Sequence, residues 1–189
     1  RYPIFCPFDG DKIRLRFDNF CGTEPIVINK ITISKSDFEE NAIENTFITV
    51  DIPKEGLKIL PKENIITKPI PFNINQGETI LISFYLQNFT LMRSAVAIRG
   101  PLSGGYYGLG DLTEVSRPDI NITKKTNWYY FLSDIDIYTE EENKAVICYG
   151  DSITSQDWPD YLMMLLKKNN VNNLSIIRKA ASGTRILKE

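Results

Sequence analysis

Between Lys12 and Tyr138 apolar and polar residues alternate with a period of two, and this restricts most of the chain to half-buried strands. Ile13, Leu15 and Phe17 alternate with Lys12, Arg14, Arg16 and Asp18. Ile26 and Ile28 lead into Ile31 and Ile33 with a change of phase at Asn29-Lys30, which predicts a bulge or bend. Phe47 to Ile52 is a further short candidate. Ile70 to Ile74, the turn signal Asn75-Gln76-Gly77 and then Thr79 to Leu86 read as a hairpin with Ile80, Ile82, Phe84 and Leu86 on one face. Shorter strands are expected at Ser94–Ile98, Trp128–Leu132 and Ile135–Tyr138, and Pro101–Asp119 as a long surface loop. Short strands between Gly, Pro and Asn clusters, with no convincing helix, predict an antiparallel, jelly-roll-like β-sandwich over residues 1–139.

The pattern then changes. Residues 140–144 form a charged linker, and Ala145-Val146-Ile147-Cys148-Tyr149 is a continuous apolar run, as expected of a parallel strand buried on both faces. Asp157 is placed to cap a helix whose first turn tolerates Pro159, and Trp158, Leu162, Leu165 and Leu166 share its core-facing side. Lys167 and Lys168 suit the helix end, and Asn169-Asn170 can stop it. Leu174 to Ile177 is a second strand, followed by the Ala181-Ser182-Gly183-Thr184 loop. Strand, helix and strand over residues 145–189 predict the first β-α-β portion of an α/β domain.

Composition closes several routes. Among 189 residues, 22 basic side chains face 24 acidic ones, so no nucleic-acid or anionic-membrane partner is driven by bulk charge. The apolar runs are too short for a transmembrane segment. Cys6, Cys21 and Cys148 are an odd set without CxxC spacing, which predicts neither a metal site nor a disulfide framework and fits a reduced, cytoplasmic compartment. The chain has no histidine, which removes the usual general base and the commonest metal ligand together. It begins at Arg1 without methionine or a signal-peptide pattern and stops just after a glycine-containing loop, so it reads as a fragment.

Ser152 stands where a buried strand gives way to a helix, with its hydroxyl at the sheet rim, and the first helical N–H groups are expected to favour negative charge there. Gly183, at the end of the neighbouring strand, can offer an unshielded backbone N–H. Together they form a candidate nucleophile with part of an oxyanion hole. The bland alternatives are a helix-initiating serine and an ordinary turn glycine.

VICYGDSITSQDWPDYLMMLL (Val146–Leu166) resembles the first sequence block of SGNH hydrolases, also called GDSL esterases and lipases. IIRKAASGTRIL (Ile176–Leu187) resembles their second block, and GDKIRLRFDNFCGTEPIVINKITIS with KPIPFNINQGETILISFYL resembles the β-sandwich preceding the hydrolase domain in one branch. The resemblance implies a flavodoxin-like α/β hydrolase domain behind the sandwich. It implies Ser152 as nucleophile, the N–H groups of Ser152 and Gly183 as oxyanion donors, and Gly150 and Asp151 as motif support, with Asp151 bracing the loop. The family's oxyanion asparagine and DxxH block have no counterpart here. Arg178 and Thr184 also depart from the commoner second block and read as branch features.

The resulting expectation is a serine hydrolase of acyl esters, inactive as these 189 residues alone, without cofactor or metal. Its partners would be a small-molecule or carbohydrate-linked ester and a C-terminal catalytic half in the same or another chain. The rival is a non-catalytic carbohydrate-binding or scaffolding sandwich carrying a remnant motif. In that reading Trp128-Tyr129-Tyr130 and Tyr106-Tyr107 form a sugar-stacking platform. A cation site at Asp134, Asp136 and Glu140–Glu142 is the weaker reading of a solvated stretch. A phosphate cradle at Tyr149–Thr154 fails for want of lysine and further glycines.

Overall fold

The computed structural model describes residues 1–38, 40–119 and 123–185. Their architecture is β-rich with a single helix, in keeping with the sandwich expectation. One antiparallel sheet is built on Thr79–Tyr85, flanked by Tyr2–Phe5 and Lys30–Phe38, with the short strands Asn41–Ala42 and Ile48–Thr49 on the far side of Lys30–Phe38. A second is built on Gly10–Asp18, paired with Leu132–Tyr138 along one edge and with Asn64–Ile66 and Ile70–Ile74 along the other. Alternation places Ile13, Leu15 and Phe17 of one sheet in the same buried cluster as Ile31, Ile33, Ile80 and Ile82 of the other. The Phe17 and Phe84 rings meet edge-on across it, with centroids 5.6 Å apart. Each such side chain removed from water contributes about 1.5–3 kcal/mol.

The expected hairpin is an arch instead. Ile70–Ile74 pairs with Gly10–Asp18, whereas Thr79–Tyr85 pairs with Tyr2–Phe5 and Lys30–Phe38. The Asn75-Gln76-Gly77 turn, with Gly77 at φ 84°, carries the chain from one sheet to the other. Alternation tells which side of a strand is buried and is silent on which strand lies beside it. The change of phase at Asn29 is a break between Ile26–Ile28, paired with Leu57–Ile59, and Lys30–Phe38.

Pro101–Asp119 is not a plain surface loop. Gly105–Gly108 is a strand paired with Thr123–Thr126, and the segment beyond it covers the outer face of the first sheet. Thr32, Ser34 and Ser83 are buried on that outer face, and the Thr32 hydroxyl donates to the Thr113 carbonyl at 2.8 Å. Buried hydroxyls need partners, and the loop's backbone supplies one.

Lys144–Gly150, the helix Trp158–Lys168 and Leu174–Ala180 follow as strand, helix and parallel strand, with Lys144 joined to the strand rather than to the linker. Asn169 and Asn170 end the helix, Asn170 at φ 58°. The first of these strands is not buried on both faces. Ala145, Ile147 and Tyr149 are exposed, Ile147 at 62% and Tyr149 at 77%, while Cys148 on the opposite face is buried. Only two strands form this sheet, and among the described residues nothing is layered over that side.

The helix is also turned differently from the expected stripe. Pro159, Asp160 and Met163 are buried, whereas Trp158 and Leu165 are 42% and 55% exposed. The cause is polar. The Asp160 carboxylate accepts from Leu102 N (2.9 Å) and Ser103 Oγ (2.8 Å) of the sandwich and pairs with Arg178. These bonds fix the helix rotation against its apolar stripe. No helix among the described residues is long and apolar enough to cross a membrane.

Candidate functional site

Parallel pairing sets Gly150 opposite Ala180, so Gly150-Asp151-Ser152 and the 181–185 loop leave the carboxyl ends of neighbouring strands. In open parallel sheets this is where ligands are handled. The Gly150 carbonyl ties the two segments together. It accepts from Ala181 N at 3.3 Å and from Thr184 Oγ1 at 3.4 Å, and the same hydroxyl also lies 2.8 Å from the Ala181 carbonyl. The Thr184 hydroxyl thus closes its own loop onto the Ala181 carbonyl and stands beside the Gly150 carbonyl.

Within the first motif each residue has a local reason. A Cβ on Gly150 would stand 2.3 Å from Thr154 Oγ1 and 2.9 Å from Thr154 Cβ, so the turn closes only over a bare backbone. Asp151 Oδ1 accepts from Ile153 N at 3.0 Å, and the Asp151 carbonyl accepts from Ser155 N at 3.0 Å. This is an Asx turn, the geometry of a brace. Ser152 is half-buried, its carbonyl held by Ser155 Oγ at 3.1 Å, and its hydroxyl has no protein partner among the described residues.

The helix does not start at Ser152. It begins at Trp158, with Pro159 in its first turn, and residues 151–155 form a separate turn ahead of it. Asp157 precedes the helix in a helical conformation and makes no side-chain capping bond. Proline is tolerated only in the first helical turn, so Pro159 fixes the start that late. The dipole effect fades within a turn, which leaves the local N–H groups as the donors available near Ser152. Gly183 is exposed at φ 84°, in the left-handed region where glycine carries no steric penalty, and a Cβ there would meet nothing within 4 Å among the described residues. The last residues of the second block, Ile186 and Leu187, and the chain end lie outside the described residues.

The other candidates separate. Tyr129 stacks on Tyr2 at 4.7 Å with its hydroxyl accepting from Gly104 N at 2.8 Å, and burial pushes its phenol pKa up. Tyr106 is buried, while Tyr107 and Trp128 are exposed, so the five aromatics form no single platform. Asp136 pairs with Arg14 at 2.7 Å, and Asp134 pairs with Arg16 and Lys179. No metal-ligating cluster occurs among the described residues.

Two residues whose roles the sequence concealed are Asp160 and Arg178. Arg178 donates to the Arg99 carbonyl at 3.0 Å and pairs with Asp160 beneath the sandwich, and its Nε is buried without a partner. Beside them lies a cavity of about 260 Å3 lined mainly by apolar residues such as Ile4, Phe5, Met163 and Ile176. Nothing in a first-turn aspartate signals this, because such a residue reads as a surface group favoured by the helix dipole. No family model matches the chain, and no curated protein matches it.

Proposed function

We propose that this chain carries the nucleophile half of an SGNH-type serine hydrolase acting on acyl esters, on an α/β layer that follows a β-sandwich. The observation that carries this reading is the parallel register of Gly150 with Ala180, with Ala181 N donating to the Gly150 carbonyl, which sets the Gly-Asp-Ser turn and the Ser-Gly-Thr loop side by side at adjacent strand ends. Ser152 Oγ attacks the ester carbonyl carbon, its proton passes to a base, and the carbonyl oxygen takes the negative charge. The N–H groups of Ser152 and Gly183 stabilise that oxyanion, and the alkoxide leaves to give an acyl-serine that water hydrolyses. Asp151 braces the turn and takes no proton.

The base and a third donor come from residues beyond these 189, in the same chain or another, since no histidine is present. Loss of one oxyanion donor alone costs about 10²–10³ in rate. The open face of Ala145, Ile147, Tyr149 and Ile177 supports the same reading, because parallel sheets are normally covered on both sides. Turnover of p-nitrophenyl acetate by the protein alone is accordingly negligible, and turnover abolished by Ser152→Ala would contradict that.

Imidazole supplied in solution as the missing base tests the nucleophile itself. Incubation with p-nitrophenyl acetate then transfers an acetyl group to Ser152, releases p-nitrophenolate and leaves the proton on imidazole. Peptide mass spectrometry should find the adduct concentrated on Ser152 and absent from the Ser152→Ala protein. Acetyl groups scattered over exposed hydroxyls, with Ser152 not preferred, defeat the proposal.

A further inference from the structure

The sandwich holds a cleft of about 540 Å3 that shares no lining residue with the Gly150–Thr154 turn or the 181–185 loop. One wall is the end of Thr79–Tyr85 and the segment after it, bearing Phe84, Tyr85 and Phe89. The other is Gly105–Gly108 and its continuation, bearing Tyr106, Tyr107 and Leu109. Phe89 is 92% exposed, Leu109 91% and Tyr107 56%. Single exposed apolar side chains are ordinary on any surface. Several of them on the two walls of one concavity of this size fit the description of a ligand site.

Both walls are held in place without a ligand. The Arg1 guanidinium donates to the carbonyls of Leu112 and Val115, Lys30 Nζ lies 2.9 Å from Glu114, and Asp111 Oδ1 accepts from Thr113 N at 2.9 Å. Opposite, Gln87 N donates to Asn29 Oδ1 at 2.9 Å. A preformed cleft avoids most of the ordering cost of binding.

Charge narrows the ligand. Among the described residues Arg1 is the sole charged one in the lining, its two terminal guanidinium nitrogens bonded to backbone carbonyls, and no acidic side chain lines the cleft. An anion finds there only a guanidinium held by carbonyls, and a cation finds no carboxylate among the described residues. The lining also includes the amides of Gln87 and Asn88 and the hydroxyls of Thr90 and Thr123. The two amides are exposed and make no side-chain hydrogen bond among the described residues. Aromatic faces suit the C–H faces of pyranose rings, and amides suit their hydroxyls.

We infer that this cleft binds a neutral saccharide, its rings stacked on Tyr107 and Phe89 and its hydroxyls bonded to Gln87 and Asn88. The site is independent of the hydrolase reading and stands whether or not Ser152 is a nucleophile.

Calorimetric and saturation-transfer NMR titrations with cellotetraose, xylotetraose and maltotetraose test it, with decanoate as an aliphatic probe. At least one neutral oligosaccharide should bind saturably, with Kd in the millimolar range or tighter. Tyr107→Ala and Phe89→Ala should each weaken it about tenfold. Both side chains are exposed, so both variants should keep the circular dichroism of the parent, and Ser152→Ala should bind as the parent does. Four results each overturn the inference: no binding by any of the three sugars, binding unchanged in both aromatic variants, binding lost in Ser152→Ala, or decanoate displacing the sugar as the tighter ligand.

Discussion

Asp160 on the helix and Arg178 on the last strand form an ion pair with only 11% and 7% of their side chains exposed, and the sandwich closes over it. Through Leu102 N, Ser103 Oγ and the Arg99 carbonyl the pair ties the strand-helix-strand segment to the sandwich. A buried pair of this kind adds little over an apolar replacement of the same shape, whereas removing one member strands the other charge.

Asp160→Ala should therefore cost roughly 3–5 kcal/mol, and Arg178→Ala a similar amount. The double variant should lose much less than the sum, because neither charge is then left alone. Urea unfolding of the three variants gives the coupling directly. Additive losses would show that the two residues act separately.

Burial also sets the alkaline limit. The Cys6 thiol is pushed up from 9.0 to about 12 by desolvation, with the nearby Glu78 carboxylate adding to it, and burial moves the Tyr2 phenol upward as well. In the unfolded chain these groups release their protons at lower pH than in the native one. The contribution of these two groups to stability is thus complete below pH 9 and falls as pH rises towards 12. Cys6→Ala should flatten the slope of unfolding free energy against pH over that window, and Tyr2→Phe should flatten it at the upper end. A slope unchanged in both variants would refute this account.

The strands were legible because alternation is a local property: Ile13, Leu15 and Phe17 declare a buried face without reference to anything else. Partnership is not local. Nothing in Ile70–Ile74 or Thr79–Tyr85 says that the arms of a tight turn join different sheets. The bounds of the helix were legible, whereas its buried face was not, for a related reason. Trp158, Leu162 and Leu165 form the apolar stripe, but its rotation is decided by Asp160, whose partners lie far off in sequence at Leu102, Ser103 and Arg178. At the candidate site, Gly150, Asp151 and Ser152 were legible at a strand end and Pro159 marked the first helical turn, but the separate turn over residues 151–155, which keeps the helical N–H groups away from Ser152, was not.

The three cysteines should differ in reactivity. Cys21 is exposed, whereas Cys6 and Cys148 are buried, and all three are free thiols. Iodoacetamide at about pH 8 should alkylate Cys21 in the native protein and reach the other two only after unfolding, since the exposed thiolate is the nucleophile. Peptide mapping of the labelled protein checks this, and rapid native labelling of Cys6 would show that the segment following Tyr2–Phe5 opens locally.

Gly150→Ala forces a methyl group against Thr154, whose Oγ1 and Cβ would lie 2.3 and 2.9 Å from it. The turn must shift, at a cost of about 1–3 kcal/mol by analogy with overpacked cores. Imidazole-assisted acetylation of Ser152 should fall with it. Thr154→Gly in the same protein removes both opposing atoms and should restore part of the stability and of the labelling. Restoration of neither would mean that the contact with Thr154 is not what excludes a side chain at Gly150.

Asp151 separates a brace from a base. Its Oδ1 accepts from Ile153 N at 3.0 Å, a bond that an asparagine oxygen can make equally well. If Asp151 only shapes the turn, Asp151→Asn keeps the acetylation of Ser152 near the parent level, while Asp151→Ala lowers it by loosening the turn. If the carboxylate accepts the serine proton, Asp151→Asn fails as badly as Asp151→Ala, because an amide cannot take that proton at neutral pH. The pH profile of labelling gives a second readout. With imidazole as the external base, the rate follows the imidazole titration in the parent and in Asp151→Asn alike, and a profile that loses a carboxylate titration in the variant would assign the proton transfer to Asp151.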